Sequence, residues 1–214
     1  KPFVYDPMVS PDTLLRTAKE LVERAADLGL QLAVCTQYAV CAKMFQRIFP
    51  GVWPMEQFEG RMETPAKNRP GEPERIWADL SPHLISVILA LCPEAEPCWD
   101  TLETNFGGYT ASAALTFRTP HGMVPARLYT GNFTEPHAHI RQYTINGYSF
   151  DVQADRDASG VFCARVETKD GVHTGDDFMR VLIRESLAGT PLVTGGTIVK
   201  NLAWMLDICG KGPV

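Results

Sequence analysis

The sequence predicts an α+β chain, a mostly antiparallel open sheet flanked by helices and preceded by a strand–helix–strand unit. Three observations carry that expectation. From residue 98 onward apolar residues recur at every second position, and Asn146-Gly147 separates two such alternating runs. Residues 1–36 read as strand, helix, strand. Two amphipathic segments, 176–188 and 197–209, close the chain, so helices sit apart from the run of strands.

The first strand is the short apolar stretch Phe3-Val4-Tyr5, followed by a turn at Pro7. Residues 11–28 form the clearest helix: Ser10 is placed to cap it, Pro11 suits its first position, and Asp12 suits the positive end of the dipole. Leu14, Ala18, Leu21, Val22, Ala25 and Leu28 keep a helical period, and Gly29 stops it. Residues 30–36 then read as a buried strand parallel to the first. Two parallel strands leave edges and apolar faces uncovered, so this unit is expected to be the end of a larger sheet whose earlier strands precede Lys1.

A helix is expected at 39–49 and a strand at 57–63, with the polar loop 67–75 between that strand and the next helix. That helix spans 82–92, with Ser81 as its cap and Pro82 at its start; it is apolar nearly all round and therefore buried. Strands follow at 110–119 and 123–131 about a turn at Pro120-His121-Gly122, at 140–145 and 148–153 about Asn146-Gly147, and at 160–168 after the turn 157–160. Apolar residues fall on both members of the central hairpin (Tyr143, Ile145, Tyr148, Phe150, Val152) as well as at Ala113, Leu115 and Phe117. That pattern suggests a sheet covered on both faces, by helices on one side and by a second copy of the chain on the other.

Composition excludes several function classes. The chain has 214 residues, is 45% hydrophobic and carries a net charge of −5, so it has no basic footprint for nucleic acid. No apolar run reaches the ~18 residues of a membrane span. Six cysteines are scattered without a C-x-x-C pair, which argues against a zinc ribbon and for reduced thiols in the cytoplasm. There is no G-x-G-x-x-G, no P-loop and no G-x-S-x-G elbow.

Among five histidines, His83 is the most informative. In the first turn of a helix a neutral imidazole is favoured, and a neutral imidazole can act as a base. Asp79 stands four residues earlier and can share a cleft with it, roofed by the loop before Arg75. The plainer reading is a capping aspartate and a helix-end histidine. His137 and His139 are spaced to share one face of a strand and could bind a metal, but no suitably spaced Cys or carboxylate accompanies them, so a sheet-face pair is expected and no metal. His121 in a turn and His173 in a polar loop are expected to be solvated.

The order of these parts resembles the glucose–fructose oxidoreductase / inositol dehydrogenase (Gfo/Idh/MocA) family. "FVYDPMVSPDTLLRTAKELVERAADLGLQLAVCTQ" is similar to the end of that family's Rossmann domain, "DLSPHLISVILAL" to its Asp-x-x-x-His helix, and "DDFMRVLIRESLAGTPLVTGGTIVKNLAWMLDI" to its closing segment. The resemblance implies two parts: residues 1–36 as the tail of a Rossmann-type nucleotide-binding domain, and 37–214 as an α+β substrate-binding and oligomerisation domain. It implies a parent NAD(P)-dependent oxidoreductase acting by hydride transfer on a sugar-like alcohol or carbonyl compound, with Asp79 binding substrate and His83 moving the proton. It also implies a homo-oligomer formed through the sheet. Two positions depart from the family pattern. Asp6, with Tyr5 before it, stands where Glu-Lys-Pro has its lysine, and Ser86 stands where an aspartate often follows the histidine. With no glycine-rich turn of its own, this chain alone is expected to bind neither NAD nor NADP. A non-catalytic binding or assembly module derived from the family is the alternative.

Overall fold

The computed structural model describes residues 6, 8–32, 36–66, 71–133 and 139–211. In chain order the helices are α1 (Pro11–Asp27), α2 (Ala39–Ile48), α3 (Pro73–Leu91), α4 (Phe178–Leu187) and α5 (Gly195–Gly210). The strands are β1 (Phe58–Pro65), β2 (Glu96–Gly107), β3 (Thr110–Thr119), β4 (Gly122–Phe133), β5 (Ile140–Ile145), β6 (Tyr148–Arg156), β7 (Phe162–Thr168) and β8 (Gly171–Asp176). They form one open sheet in the order β2-β3-β4-β1-β5-β6-β7-β8. All neighbours are antiparallel except β1 and β4. This is the expected α+β architecture.

The local chemistry explains most of the elements. Ser10 caps α1 by accepting from the Thr13 amide at 3.3 Å, and Gly29 at φ +63° takes the chain out of the helix. The flanking strands of the expected βαβ unit fall largely on residues 3–5 and 33–35, outside the described residues; residues 30–32 and 36 are not strand. Asn146 (φ 52°) and Gly147 (φ 80°) make the left-handed pair that a two-residue hairpin needs. The Asn146 side chain also pins the turn to the preceding segment: its amide donates to the Val52 and Pro54 carbonyls, and its oxygen accepts from the Glu56 and Gln57 amides.

Three expectations are corrected. The helix expected at 82–92 begins at Pro73, so residues 73–75 are not loop and Ser81-Pro82 lie inside α3. Ile76, Trp77, Ala78 and Leu80 are all buried, and the Trp77 indole donates to the Met205 carbonyl of α5 at 3.2 Å. That burial outweighs the roughly 3 kcal/mol that an internal proline costs a helix. Residues 96–107 form an edge strand, β2, and residues 171–176 form the other edge, β8, where a polar loop was expected. Edge strands carry little of the apolar alternation that marks central ones.

The third correction concerns the sheet faces. Ala113, Leu115, Phe117, Tyr143, Ile145, Phe150 and Val152 are all buried, and the register Ala113–Leu128, Leu128–Gly60, Gly60–Tyr143 and Tyr143–Phe150 puts them on a single face, under the helices. Tyr148 pairs with Ile145 and packs on Phe49 on that same side. The opposite face is polar, with Glu59, Arg61, Ser112, Arg127, Gln142 and Thr144 around a groove of about 510 Å³. Apolar residues on two strands of an antiparallel hairpin share a face whenever they are cross-strand partners, so their presence on both strands did not mean apolar residues on both faces.

Candidate functional site

α3 crosses the helix-covered face of the sheet, against α2 on one side and α5 on the other. Asp79 and His83 are one helical turn apart on it, so both side chains stand on one face, and both residues are half-buried. The structure therefore places the two together, but well inside the helix. The helix-mouth argument for a neutral His83 does not hold, because the dipole acts within the first turn. Arg75, expected just after a roofing loop, lies in the first turn of α3 and pairs with Glu72 at 3.4 Å.

The turn before α2 supplies the second wall. The Thr36 hydroxyl donates to the Ser86 hydroxyl at 2.8 Å, and Ser86 donates to the His83 carbonyl at 2.7 Å. These bonds hold the 36–38 turn along α3. The Tyr38 ring then meets the His83 ring edge-on, with centroids 5.0 Å apart at 78°. Arg141, from β5, lines one small cleft with Tyr38 and Gln37, and its charge bears on the Tyr38 phenol. Burial pushes the Tyr38 phenol above its ordinary value, and the Arg141 cation opposes that shift. The same burial effect raises Tyr143 and Cys41, which share this cluster. A small cleft beside it is lined by Gln37, Tyr38, Arg141, Ala154, Asp177 and Phe178 among others.

The remaining histidines separate. His121 is exposed in its turn, as expected. His137 lies outside the described residues, and His139 is exposed ahead of β5, so the proposed pairing of the two is not described. His173 is corrected: it is in β8 opposite Val166, half-buried, with a buried Nε2 that has no hydrogen-bond partner among the described residues. Among the described residues there is no cluster of three or more His, Cys, Asp or Glu fit to hold a metal. Asp6 is exposed, its carboxylate accepting from the Met8 amide at 2.9 Å.

Sequence reasoning missed Tyr38 and Arg141. Arg141 left a signal, because it shares parity with Tyr143 and Ile145 and so is a charge at a core-facing position of its strand. Tyr38 left none, since its place depends on the Thr36–Ser86 bond across 50 positions of sequence.

No protein-family model matches the sequence, and no curated protein matches it. Solved structures do. UDP-N-acetylglucosamine 3-dehydrogenase from Acidithiobacillus ferrooxidans superposes with a TM-score of 0.66 at 19% identity, over 92% of this chain and 67% of that one. A 3-ketoreductase from Actinomadura kijaniata, in complex with TDP-benzene and NADP, gives 0.57 at 18% identity over 92% and 66%. Scyllo-inositol dehydrogenase from Lactobacillus casei, with bound NAD(H) and scyllo-inositol, gives 0.57 at 12% identity over 90% and 66%. The chain spans about two thirds of the length of these proteins. It has the fold of Gfo/Idh/MocA-type dehydrogenases, over a span consistent with a C-terminal portion of such a protein.

Proposed function

We propose that this chain is the substrate-binding and oligomerisation portion of an NAD(P)-dependent oxidoreductase that acts on a sugar-like or other small alcohol or carbonyl substrate. The observation that carries the reading is Asp79 and His83 on one face of α3, with Tyr38 against His83, in a fold shared with sugar and inositol dehydrogenases.

The described residues form no glycine-rich cradle for a pyrophosphate, so no dinucleotide site is assigned to them and no step is derived through the cofactor. What this chain contributes is positioning and proton transfer. Asp79 accepts a hydrogen bond from a substrate hydroxyl and orients the reacting carbon. His83 takes the hydroxyl proton in oxidation and returns it in reduction. Tyr38 restricts the imidazole by edge contact, and the Ser86–His83 bond ties the local backbone to the 36–38 turn.

The test uses a longer protein that carries a nucleotide-binding domain. His83→Ala is expected to slow the chemical step by roughly 10²–10⁴-fold, and Asp79→Ala to raise KM more than it lowers kcat. Unchanged turnover in His83→Asn would remove the acid–base reading. For the 214-residue chain alone, calorimetric titration with NAD(H) and NADP(H) is expected to give no measurable heat.

A specific observation favours the alternative of a non-catalytic module. Asp6 occupies the place where the resembling family has its motif lysine, and a carboxylate cannot stabilise developing negative charge. Asp6→Lys in the longer protein discriminates: a gain of dehydrogenase activity supports the enzyme, and no activity in either form supports the module. We further assign self-association to the open sheet face, where Glu59 and Glu103 stand with Arg61 and Arg127. Charges of both signs suit a self-complementary two-fold contact. Light scattering should give an oligomer whose dissociation increases with salt.

A further inference from the structure

Pro82 stands between the two residues of the candidate site. Asp79 precedes it in α3 and His83 follows it. Proline has no N–H, so the helix lacks the bond from residue 82 to the Ala78 carbonyl, and the pyrrolidine ring crowds that oxygen. The missing bond belongs to the turn that joins Asp79 to His83. The Ser81 hydroxyl does not bridge the gap: it is fully buried and has no hydrogen-bond partner among the described residues. A helix interrupted in this way bends at the proline unless something outside it holds the two sides. The demand on that hold is high, because a misplacement of about 1 Å in a reacting group can slow a reaction by roughly 10²-fold.

α5 supplies the hold, on both sides of the break. Before it, the fully buried Trp77 indole donates to the Met205 carbonyl at 3.2 Å. At the proline itself, the Asn201 amide donates to the Pro82 carbonyl at 2.9 Å. Asn201 and Met205 are one turn apart on α5, so an uninterrupted stretch of one helix spans the weak turn of the other. Asn201 is 8% exposed and is the one polar side chain among the buried residues of α5. Packing alone calls for an apolar residue at that position; the amide is explained by its bond to Pro82.

We infer that Asn201 is a positioning residue for the Asp79–His83 pair: its bond to the Pro82 carbonyl, with the Trp77–Met205 bond, splints α3 across the proline and fixes His83 relative to Asp79 and Tyr38. This rests on the reading of Asp79 and His83 as the substrate site, and it adds α5 to the elements that set the geometry of that site.

The test is NMR on the 214-residue chain, read at the His83 imidazole. The Tyr38 ring, 5.0 Å away and edge-on, imposes a ring-current shift on the imidazole resonances, measured as the difference between the unaltered chain and Tyr38→Leu. Asn201→Leu keeps the size of the side chain and removes the amide. It should reduce that shift by about half or more, or broaden the resonances by exchange, as the turn around Pro82 loosens. Pro82→Ala restores the bond from residue 82 to the Ala78 carbonyl. In that background Asn201→Leu should change the shift by less than about a fifth. A side chain that served stability alone would leave the imidazole resonances where they are and would cost the same shift in urea midpoint with and without Pro82→Ala. Where Asn201→Leu does not fold, Asn201→Ser gives the reading, since its shorter side chain falls short of the Pro82 carbonyl. Unmoved and unbroadened His83 resonances in the Asn201 variant, or the same change in both backgrounds, would overturn the inference. In a longer protein with a nucleotide-binding domain, Asn201→Leu should lower kcat by about 10-fold or more while KM changes by less than about threefold. The imidazole reading does not depend on turnover. Unchanged turnover in His83→Asn would therefore refute the acid–base role alone, and an unmoved His83 resonance would refute the splint alone.

Discussion

Ser86→Ala removes the hydroxyl that joins the 36–38 turn to α3. Ser86 is 3% exposed and Thr36 9%, so water cannot readily replace what is lost. The Thr36 hydroxyl, which donates to Ser86 at 2.8 Å, is left buried without its acceptor, at a cost of about 1–2 kcal/mol. The Ser86 bond to the His83 carbonyl adds a few tenths at most, because that oxygen also serves the helix ladder. The expected total is about 1.5–2 kcal/mol. Thr36→Val costs about 1 kcal/mol, since Ser86 keeps its own donor bond. In the double variant both polar partners are gone, and the loss should be about 1 kcal/mol smaller than the sum of the singles. The assay is urea unfolding at neutral pH with slopes and midpoints fitted together. With a slope of about 2 kcal/mol/M, Ser86→Ala should lower the midpoint by nearly 1 M. Additive losses, within about 0.3 kcal/mol, would show that the two hydroxyls are not coupled and that Tyr38 is held against His83 by something else.

Tyr143→Phe should leave stability at neutral pH unchanged or raise it by about 1 kcal/mol, because it removes a buried hydroxyl with no partner among the described residues. Burial holds the Tyr143 phenol well above its ordinary 10.0, so its contribution is complete below that value. Above it the unfolded chain releases a proton that the folded chain keeps, and stability falls as pH rises; urea midpoints from pH 8 to 11 should fall less steeply in the variant, and identical profiles would contradict the burial argument. Gly195→Ala would put a Cβ 2.8 Å from Val22 Cγ1 and push α1 from α5, for a loss of about 1–2 kcal/mol. Gly196→Ala meets nothing closer than 4.0 Å and should be neutral or slightly stabilising; thermal melts that rank the two variants the other way would refute the close α1–α5 contact.

The sequence by itself determined the elements whose signals are local. Ser10, Pro11 and Gly29 delimit α1, and Asn146-Gly147 adopts the backbone its hairpin demands, because capping and left-handed φ are properties of a few adjacent residues. The Asp79–His83 pair was legible for the same reason, since a four-residue spacing shares a face wherever it falls in a helix. Where the helix begins was not, because Ser81-Pro82 carries a local start signal that packing overrides: Trp77 and its neighbours gain more by burial against α5 than Pro82 loses inside α3. The edges β2 and β8 escaped because a strand paired on one side shows weak alternation, and it takes the neighbouring strand to reveal it. The rest of the candidate site was decided by tertiary structure alone. Tyr38 reaches His83 through a hydrogen bond between residues 36 and 86, and Arg141 reaches Tyr38 through the register of β5 beside β1. Long-range register and side-chain pairing are properties of the closed core, and no window of local sequence contains them.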